Sequence, residues 1–188
     1  MKKRWLKSSL SILLMLCIIS FMIPTTAMAK SSDNIIRYSI VVLDSSGSMH
    51  GEPHSLQNVA AKKFCESVLS ASGENYVAIA KINTHSSKVS DFTNDINTLD
   101  NAIDSIGASG GTNISESLNI CDELLNSIEN TDNVVKNIVL CSDGLPESGQ
   151  YKSTGHYTYD DSWEYYGYAN AAYDTATEIK GKGVNIYT

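Results

Sequence analysis

Ile35-Ile36-Arg37-Tyr38-Ser39-Ile40-Val41-Val42-Leu43, followed at once by Asp44-Ser45-Ser46-Gly47-Ser48, is the stretch that decides the fold. Its first part is rich in β-branched residues and almost continuously apolar, the pattern of a strand buried on both faces of a helix-covered sheet. The Asp-Ser-Ser-Gly run then stops the strand, because these residues favour turns. Working outward, Leu56, Val59, Ala60, Phe64 and Val68 recur at helical spacing until Ser72-Gly73. Tyr76 to Ile82 and Lys88 to Phe92 read as two further strands. The polar turn between them, Asn83 to Ser87, is too short for a parallel crossover, so the second of the pair is an antiparallel edge. Ile96, Leu99, Ile103 and Ile106 mark a short helix, and the run Gly107-Ala108-Ser109-Gly110-Gly111-Thr112 follows it. A new helix opens near Asn113, carrying Ile114, Leu118, Cys121 and Leu125, before the buried strand Val134 to Cys141. A helix from about Ala169 to Lys180 and a strand from Val184 close the chain. Helices alternating with parallel strands predict an α/β fold: a doubly wound, mostly parallel open sheet with one antiparallel edge strand.

The N-terminus has a different character. Lys2, Lys3, Arg4 and Lys7 precede an apolar run from Leu10 to Ile23 and the small-residue triplet Ala27-Met28-Ala29. That order is a secretory signal peptide over 1–29, cleaved after Ala29. The run is broken by Ser11 and Ser20 and falls short of the about 20 apolar residues a membrane helix needs, so no span is expected in the mature fragment. The division is thus 1–29 signal peptide, 30–34 polar leader and 35–188 a single domain in a secreted or extracellular protein. The full chain carries −7, and removing a leader of +4 leaves −11. An acidic surface of that size suits cations and excludes nucleic acid, which needs a basic footprint. Cys17 leaves with the leader, and the odd set Cys65, Cys121 and Cys141 forbids full pairing. Cys121 and Cys141 fall on apolar patterns and read as small buried hydrophobes. His50, His54, His85 and His156 lie in polar stretches without zinc-site spacing and read as solvated.

Ligands of open α/β sheets bind beyond the carboxyl ends of the strands, where strand order reverses. Three polar loops are expected there: Asp44-Ser45-Ser46-Gly47-Ser48, Gly110-Gly111-Thr112 and Ser142-Asp143-Gly144. They bring Asp44, Ser46, Ser48, Thr112 and Asp143 together, all oxygen donors of the kind that hard cations such as Mg²⁺ select. With two carboxylates among five ligands, the ion keeps positive charge for a further anion. Each piece also has a plainer reading. The first loop alone is a turn and helix cap, Thr112 alone is a helix N-cap, and Asp143-Gly144 alone is an ordinary turn. Their conjunction at strand ends favours the metal site.

Asp44-x-Ser46-x-Ser48, a Thr in a Gly-rich loop and Asp143-Gly144 after an apolar strand together resemble the metal-ion-dependent adhesion site of von Willebrand factor type A domains. The resemblance covers nearly all of Ile35 to Thr188 and implies a Rossmann-like fold. It further implies that Ser46, Ser48 and Thr112 bind Mg²⁺, or Mn²⁺, by their hydroxyls, while Asp44 and Asp143 act largely through bound water. The partner is then a protein ligand whose Asp or Glu carboxylate completes the shell. Function on this reading is cell-surface or secreted adhesion; the alternative is a subunit that uses the domain for assembly with a partner protein. Catalysis is not expected. An aspartyl phosphatase needs Asp-x-Asp, and Ser46 stands at the second position; Gly47-Ser48-Met49-His50-Gly51 puts the Ser one place early for a hydrolase elbow.

The chain departs from the resemblance after Asp143, where Tyr residues crowd around Trp163. Tyr157, Tyr159 and Trp163 are expected to form a rim that reads ligand identity, since Tyr and Trp give rigid amphipathic contact area; the alternative is that the rings pack only on each other. Val184-Asn185-Ile186-Tyr187 reads as a strand just beginning. The resemblance implies a helix, a sixth strand and a closing helix after it, so the domain is expected to be incomplete at its C-terminus. The last strand is then an edge, with apolar side chains near it exposed.

Overall fold

Alternation along each strand separates two apolar layers, and the helices divide between them. The computed structural model of this protein describes residues 34–158 and 165–188. The predicted signal peptide therefore lies outside the described residues, as do Tyr159 and Trp163. The elements are β1 (Ile36–Asp44), a 3₁₀ turn (Gly47–Met49), α1 (Glu52–Leu69), β2 (Glu74–Ile82), β3 (Ser87–Thr93), α2 (Ile96–Asp104), α3 (Ile114–Asn126), β4 (Val134–Cys141), α4 (Tyr166–Gly181) and β5 (Asn185–Tyr187). They build one sheet in the order β3-β2-β1-β4-β5, parallel except for β3, which pairs antiparallel with β2. Among the described residues, no helix is long and apolar enough to cross a membrane.

On one face, Ile40 and Val42 of β1, Ala78, Ala80 and Ile82 of β2, and Ile138 and Leu140 of β4 pack against Leu118, Cys121 and Leu125 of α3 and Ile179 of α4. On the other, Val41, Leu43, Val77 and Ile79 meet Ala61 and Cys65 of α1, Leu99 and Ile103 of α2, and Ile106 just after it. Strand residues one apart point to opposite faces, so the continuous apolar run of β1 serves both layers. Among the described residues the cysteines are free, with Cys65 and Cys121 buried and Cys141 half-buried. Burial pushes the Cys65 thiol up to about 11 and the Cys121 thiol up to about 12. Both stay protonated and act as apolar groups, as expected for Cys121.

Two expectations need correction. In α1, Leu56 and Val59 are each 61% exposed and Ala60 also faces solvent, whereas Ala61 and Cys65 meet the sheet. The helix carries apolar residues on more than one side, and its small residues make the close approach. His54, read as solvated, is half-buried, with a buried Nε2. At the other end of the sheet, β5 forms the edge as expected, and Tyr187 is 55% exposed. Beside it, Val135 and Val139 of β4 face Phe64 and Val68 of α1 across a groove of about 520 Å³.

Lys136 is a buried cation with a structural task. Its Nζ donates to Leu125 O (2.9 Å) and Ile128 O (2.6 Å) at the C-terminal end of α3. The helix dipole favours a cation there. Desolvation pulls its pKa down, partly offset by Asp122.

Candidate metal centre

The chain runs β1 to β2 in one direction across the sheet and returns to place β4 on the other side of β1, so strand order reverses at the β1–β4 boundary. Asp44 closes β1 and is fully buried. Its backbone is clamped by Gln57 of α1: Asp44 N donates to Gln57 Oε1 (3.1 Å) and Gln57 Nε2 donates to Asp44 O (2.9 Å). Its carboxylate accepts from Ser46 N at Oδ1 (2.8 Å) and from Ser142 Oγ at Oδ2 (2.5 Å). Asp44 is thus tied both to its own loop and to the loop after β4.

The remaining expected ligands gather around it. Ser46 Oγ and Ser48 Oγ lie 3.0 Å apart, and Ser48 Oγ donates to Asp143 Oδ1 at 2.9 Å. Ser46 is buried, while Ser48 and Asp143 are exposed, so the cluster has a closed floor and an open mouth. Thr112 is 3% exposed, and a Cβ on Gly144 would stand 4.0 Å from its Oγ1, which puts this hydroxyl beside the 143–144 turn. Thr112 is not the helix cap. Asn113 caps α3, its Oδ1 accepting from Glu116 N at 3.1 Å.

Backbone bonds fix the three loops to each other. Gly47 N donates to Gly110 O (2.9 Å), Ser109 N to Ser45 O (2.7 Å), and Glu147 N to Thr112 O (3.0 Å). Gly110 has φ of 84°, and a Cβ there would lie 2.6 Å from Asn83 Oδ1, so glycine is required on both counts. Asn83, the first residue after β2, joins the loops by its side chain. Its Nδ2 donates to Ser45 O (3.1 Å), Ser45 Oγ (2.8 Å) and Ser109 O (2.5 Å). Sequence reading missed Asn83, Gln57 and Ser142. Of these, Asn83 carried a usable signal, since it stands at the carboxyl end of a central strand. Asn83→Ala should cost about 1–2 kcal/mol in urea denaturation, the net worth of its partly buried bonds, and lower Mg²⁺ affinity by loosening two loops together. Unchanged affinity would show that the backbone bonds suffice.

Neither Asp44 nor Asp143 forms a salt bridge with a described residue, so their charge is not neutralised by a cationic side chain. Among the described residues, no group of three or more His, Cys, Asp or Glu could hold a metal ion. The cluster is of another kind, two carboxylates with hydroxyls. Its all-oxygen set suits a hard cation and gives a soft one no nitrogen or sulfur.

Of the expected rim, Tyr157 is half-buried, its ring edge-on to His156 (4.7 Å) and Tyr173 (6.2 Å), while His156 stacks on Tyr173 at 4.2 Å. These contacts hold Tyr157 against α4. The segment before it docks on the same helix: Lys152 N donates to Gly167 O (2.9 Å), and a Cβ on Gly167 would meet the Tyr151 ring at 2.4 Å. Asn170, fully buried, accepts from Tyr157 N (2.7 Å) and donates to Tyr157 O (2.9 Å) and Lys152 O (3.0 Å).

Fold and loops together define a doubly wound α/β domain whose switch point carries an oxygen-donor cluster on three interlocked loops. The chain belongs to the von Willebrand factor type A family: the sequence profile of the von Willebrand factor type A domain matches residues 39–145. Domains of this family are generally binding modules and often hold a divalent metal. No curated protein sequence matches the chain. Solved structures do. The von Willebrand factor domain of the type V pili tip protein Mfa5 from Porphyromonas gingivalis superimposes with a TM-score of 0.56 at 23% identity, over 65% of this chain and 43% of that one. The pilus adhesin SpaC from Lactobacillus rhamnosus GG, in its open conformation, gives 0.60 at 18% identity, over 81% and 24%. The minor pilin PilB from Streptococcus sanguinis gives 0.63 at 17% identity, over 81% and 50%. The chain therefore spans half or less of the length of these three proteins, and at such identities the likeness is one of fold.

Proposed function

We propose that this domain is a secreted or cell-surface binding module that captures a protein ligand through a divalent cation, Mg²⁺ or Mn²⁺. Ser46, Ser48 and Thr112 would hold the ion by their hydroxyls, with Asp44 and Asp143 supplying negative charge beside it. When bound, the ion supplies a Lewis-acidic site for an Asp or Glu carboxylate of the ligand. One observation carries the reading: Ser46, Ser48 and Asp143 form a continuous hydrogen-bonded chain at an open mouth, with buried Asp44 beneath. The pilus tip protein, pilus adhesin and minor pilin among its structural neighbours support adhesion outside the cell. The last of these also favours the second reading, assembly with a partner subunit. Ser48 Oγ and Ser142 Oγ donate to the carboxylates of Asp143 and Asp44, so these hydroxyls are committed to the cluster.

On this reading Tyr157, Tyr159 and Trp163 are the residues that select among ligands. The test is capture of an immobilised panel of extracellular matrix proteins, with Mg²⁺ and with chelator. Capture should vanish with chelator. Alanine at Tyr157, Tyr159 and Trp163 should weaken capture by about tenfold while leaving metal affinity unchanged, as expected for aromatic contact residues. Capture that persists in chelator would refute adhesion through the ion and favour the assembly reading.

A further inference from the structure

The loops around the proposed cation site also wall a second concavity. A pocket of about 430 Å³ is lined by Thr84, His85, Glu116, Asn119, Ser148 and Gln150. It shares a wall with Thr112, because Ser148 N donates to Thr112 O at 3.3 Å and the neighbouring Asn113 also lines the pocket.

Its chemistry is that of an acceptor. The Glu116 carboxylate is half-buried and held by one oxygen, Oε2 accepting from Ser86 N (2.8 Å) and Asn113 Nδ2 (3.0 Å). Oε1 has no hydrogen bond from a described residue. Ser148 Oγ is buried without a partner among the described residues. Asn119 and Gln150 add polar side chains to the lining, which holds no Lys or Arg among the described residues. A carboxylate fixed through one oxygen, with its other oxygen uncommitted, in a polar pocket without cationic Lys or Arg suits a group with several donors and a positive charge. Guanidinium offers five donors in a planar fork, whereas an ammonium acts as a point charge.

We infer that this pocket binds a basic side chain of the protein ligand, arginine in preference to lysine, placed near the ligand's acidic residue. The ligand thereby carries paired charges, its acid at the cation and its base at Glu116. This rests on the cation-site reading for the acidic half alone.

Two measurements separate the halves. Agmatine, a free guanidinium probe, is titrated into the protein in EDTA and followed by amide NMR. Shifts are expected at Asn119, Ser148 and Gly149 and should be absent in Glu116→Gln, which keeps an oxygen for Ser86 and Asn113. A melting curve checks that this variant folds. In Mg²⁺, fluorescent peptides bearing one Asp and an Arg a few residues away are compared with peptides carrying norleucine in place of Arg. The Arg peptides should bind about tenfold tighter, as expected of one charge-assisted contact, and Glu116→Gln should abolish that preference alone. Equal binding of the two peptide sets by the wild type, or no agmatine shifts, overturns the inference. Agmatine shifts with no Mg²⁺-dependent peptide binding would instead uphold the basic pocket and sink the cation reading.

Discussion

Saturating Mg²⁺ should raise the melting temperature of the wild-type domain by about 5–10 °C over the same protein in chelator. An ion that binds only the folded state adds about 2.7 kcal/mol at a hundredfold excess over its dissociation constant, and each kcal/mol moves a domain of this size by about 2–4 °C. Asp143→Ala should erase most of this difference and leave the chelator curve in place. Asp143 is exposed, and its described hydrogen bond is from Ser48, so its removal opens no hole in the core. Asp44→Ala should behave differently. Asp44 is fully buried and accepts from both Ser46 N and Ser142 Oγ, so the variant should melt earlier even in chelator as well as losing the metal response. If wild type and Asp44→Ala gave the same metal response, the site would be refuted.

How much of this was legible in the sequence depended on what kind of side chain carried the information. β4 was read from Val134 to Cys141 and is found there, because a continuous apolar run between turn signals leaves little choice of register. β3 was placed as an antiparallel edge by the length of a turn alone. The five proposed ligands stood out because they sit at strand ends, which topology brings together, and four of them are linked directly or through the adjacent Ser142 in hydrogen-bonded contact. The face of α1 was misjudged for a physical reason. Leu56, Val59 and Ala60 continue the period of Phe64 and Val68, but the close contact with the sheet is made by Ala61 and Cys65, whose small volume lets the helix approach. Hydrophobicity ranks the larger residues first; packing distance does not. The polar anchors were illegible for another reason. An amide such as Gln57 or Asn170 in a helix looks like any solvated residue until its partners, 13 to 18 residues away, are brought beside it. Glu116 is similar. Its position three after Asn113 marks a helix start, but its bond to Ser86 N depends on how β3 is approached.

Asn170→Ala should cost about 3 kcal/mol of stability and free the segment that carries Tyr157. The residue is fully buried in α4, and its amide closes hydrogen bonds to Tyr157 N, Tyr157 O and Lys152 O. Removing it strands one donor and two acceptors. A buried polar group left unpaired costs about 1–3 kcal/mol, and the lower end applies here because Lys152 is exposed and Tyr157 half-buried, so water can reach part of the vacated space. Repacking cannot recover the rest. A Cβ at Gly155 would already stand 2.8 Å from Asn170 Cγ, so the loop is fitted closely around this amide. Asn170→Asp is the sharper variant: it retains an acceptor for Tyr157 N but presents a charge to two carbonyl oxygens, and should be at least as damaging as alanine. Urea denaturation measures the stability loss, and limited proteolysis should show new cleavage between Tyr151 and Tyr157. The same variants separate the two roles of the segment. If the rim selects ligands, Asn170→Ala should weaken capture while the Mg²⁺-dependent rise in melting temperature survives, because Asn170 lies in α4 and none of its bonds reaches Asp44, Ser46, Ser48 or Asp143. A loss of stability with undiminished capture would make the aromatic segment a structural brace, with the rings packing on α4 alone.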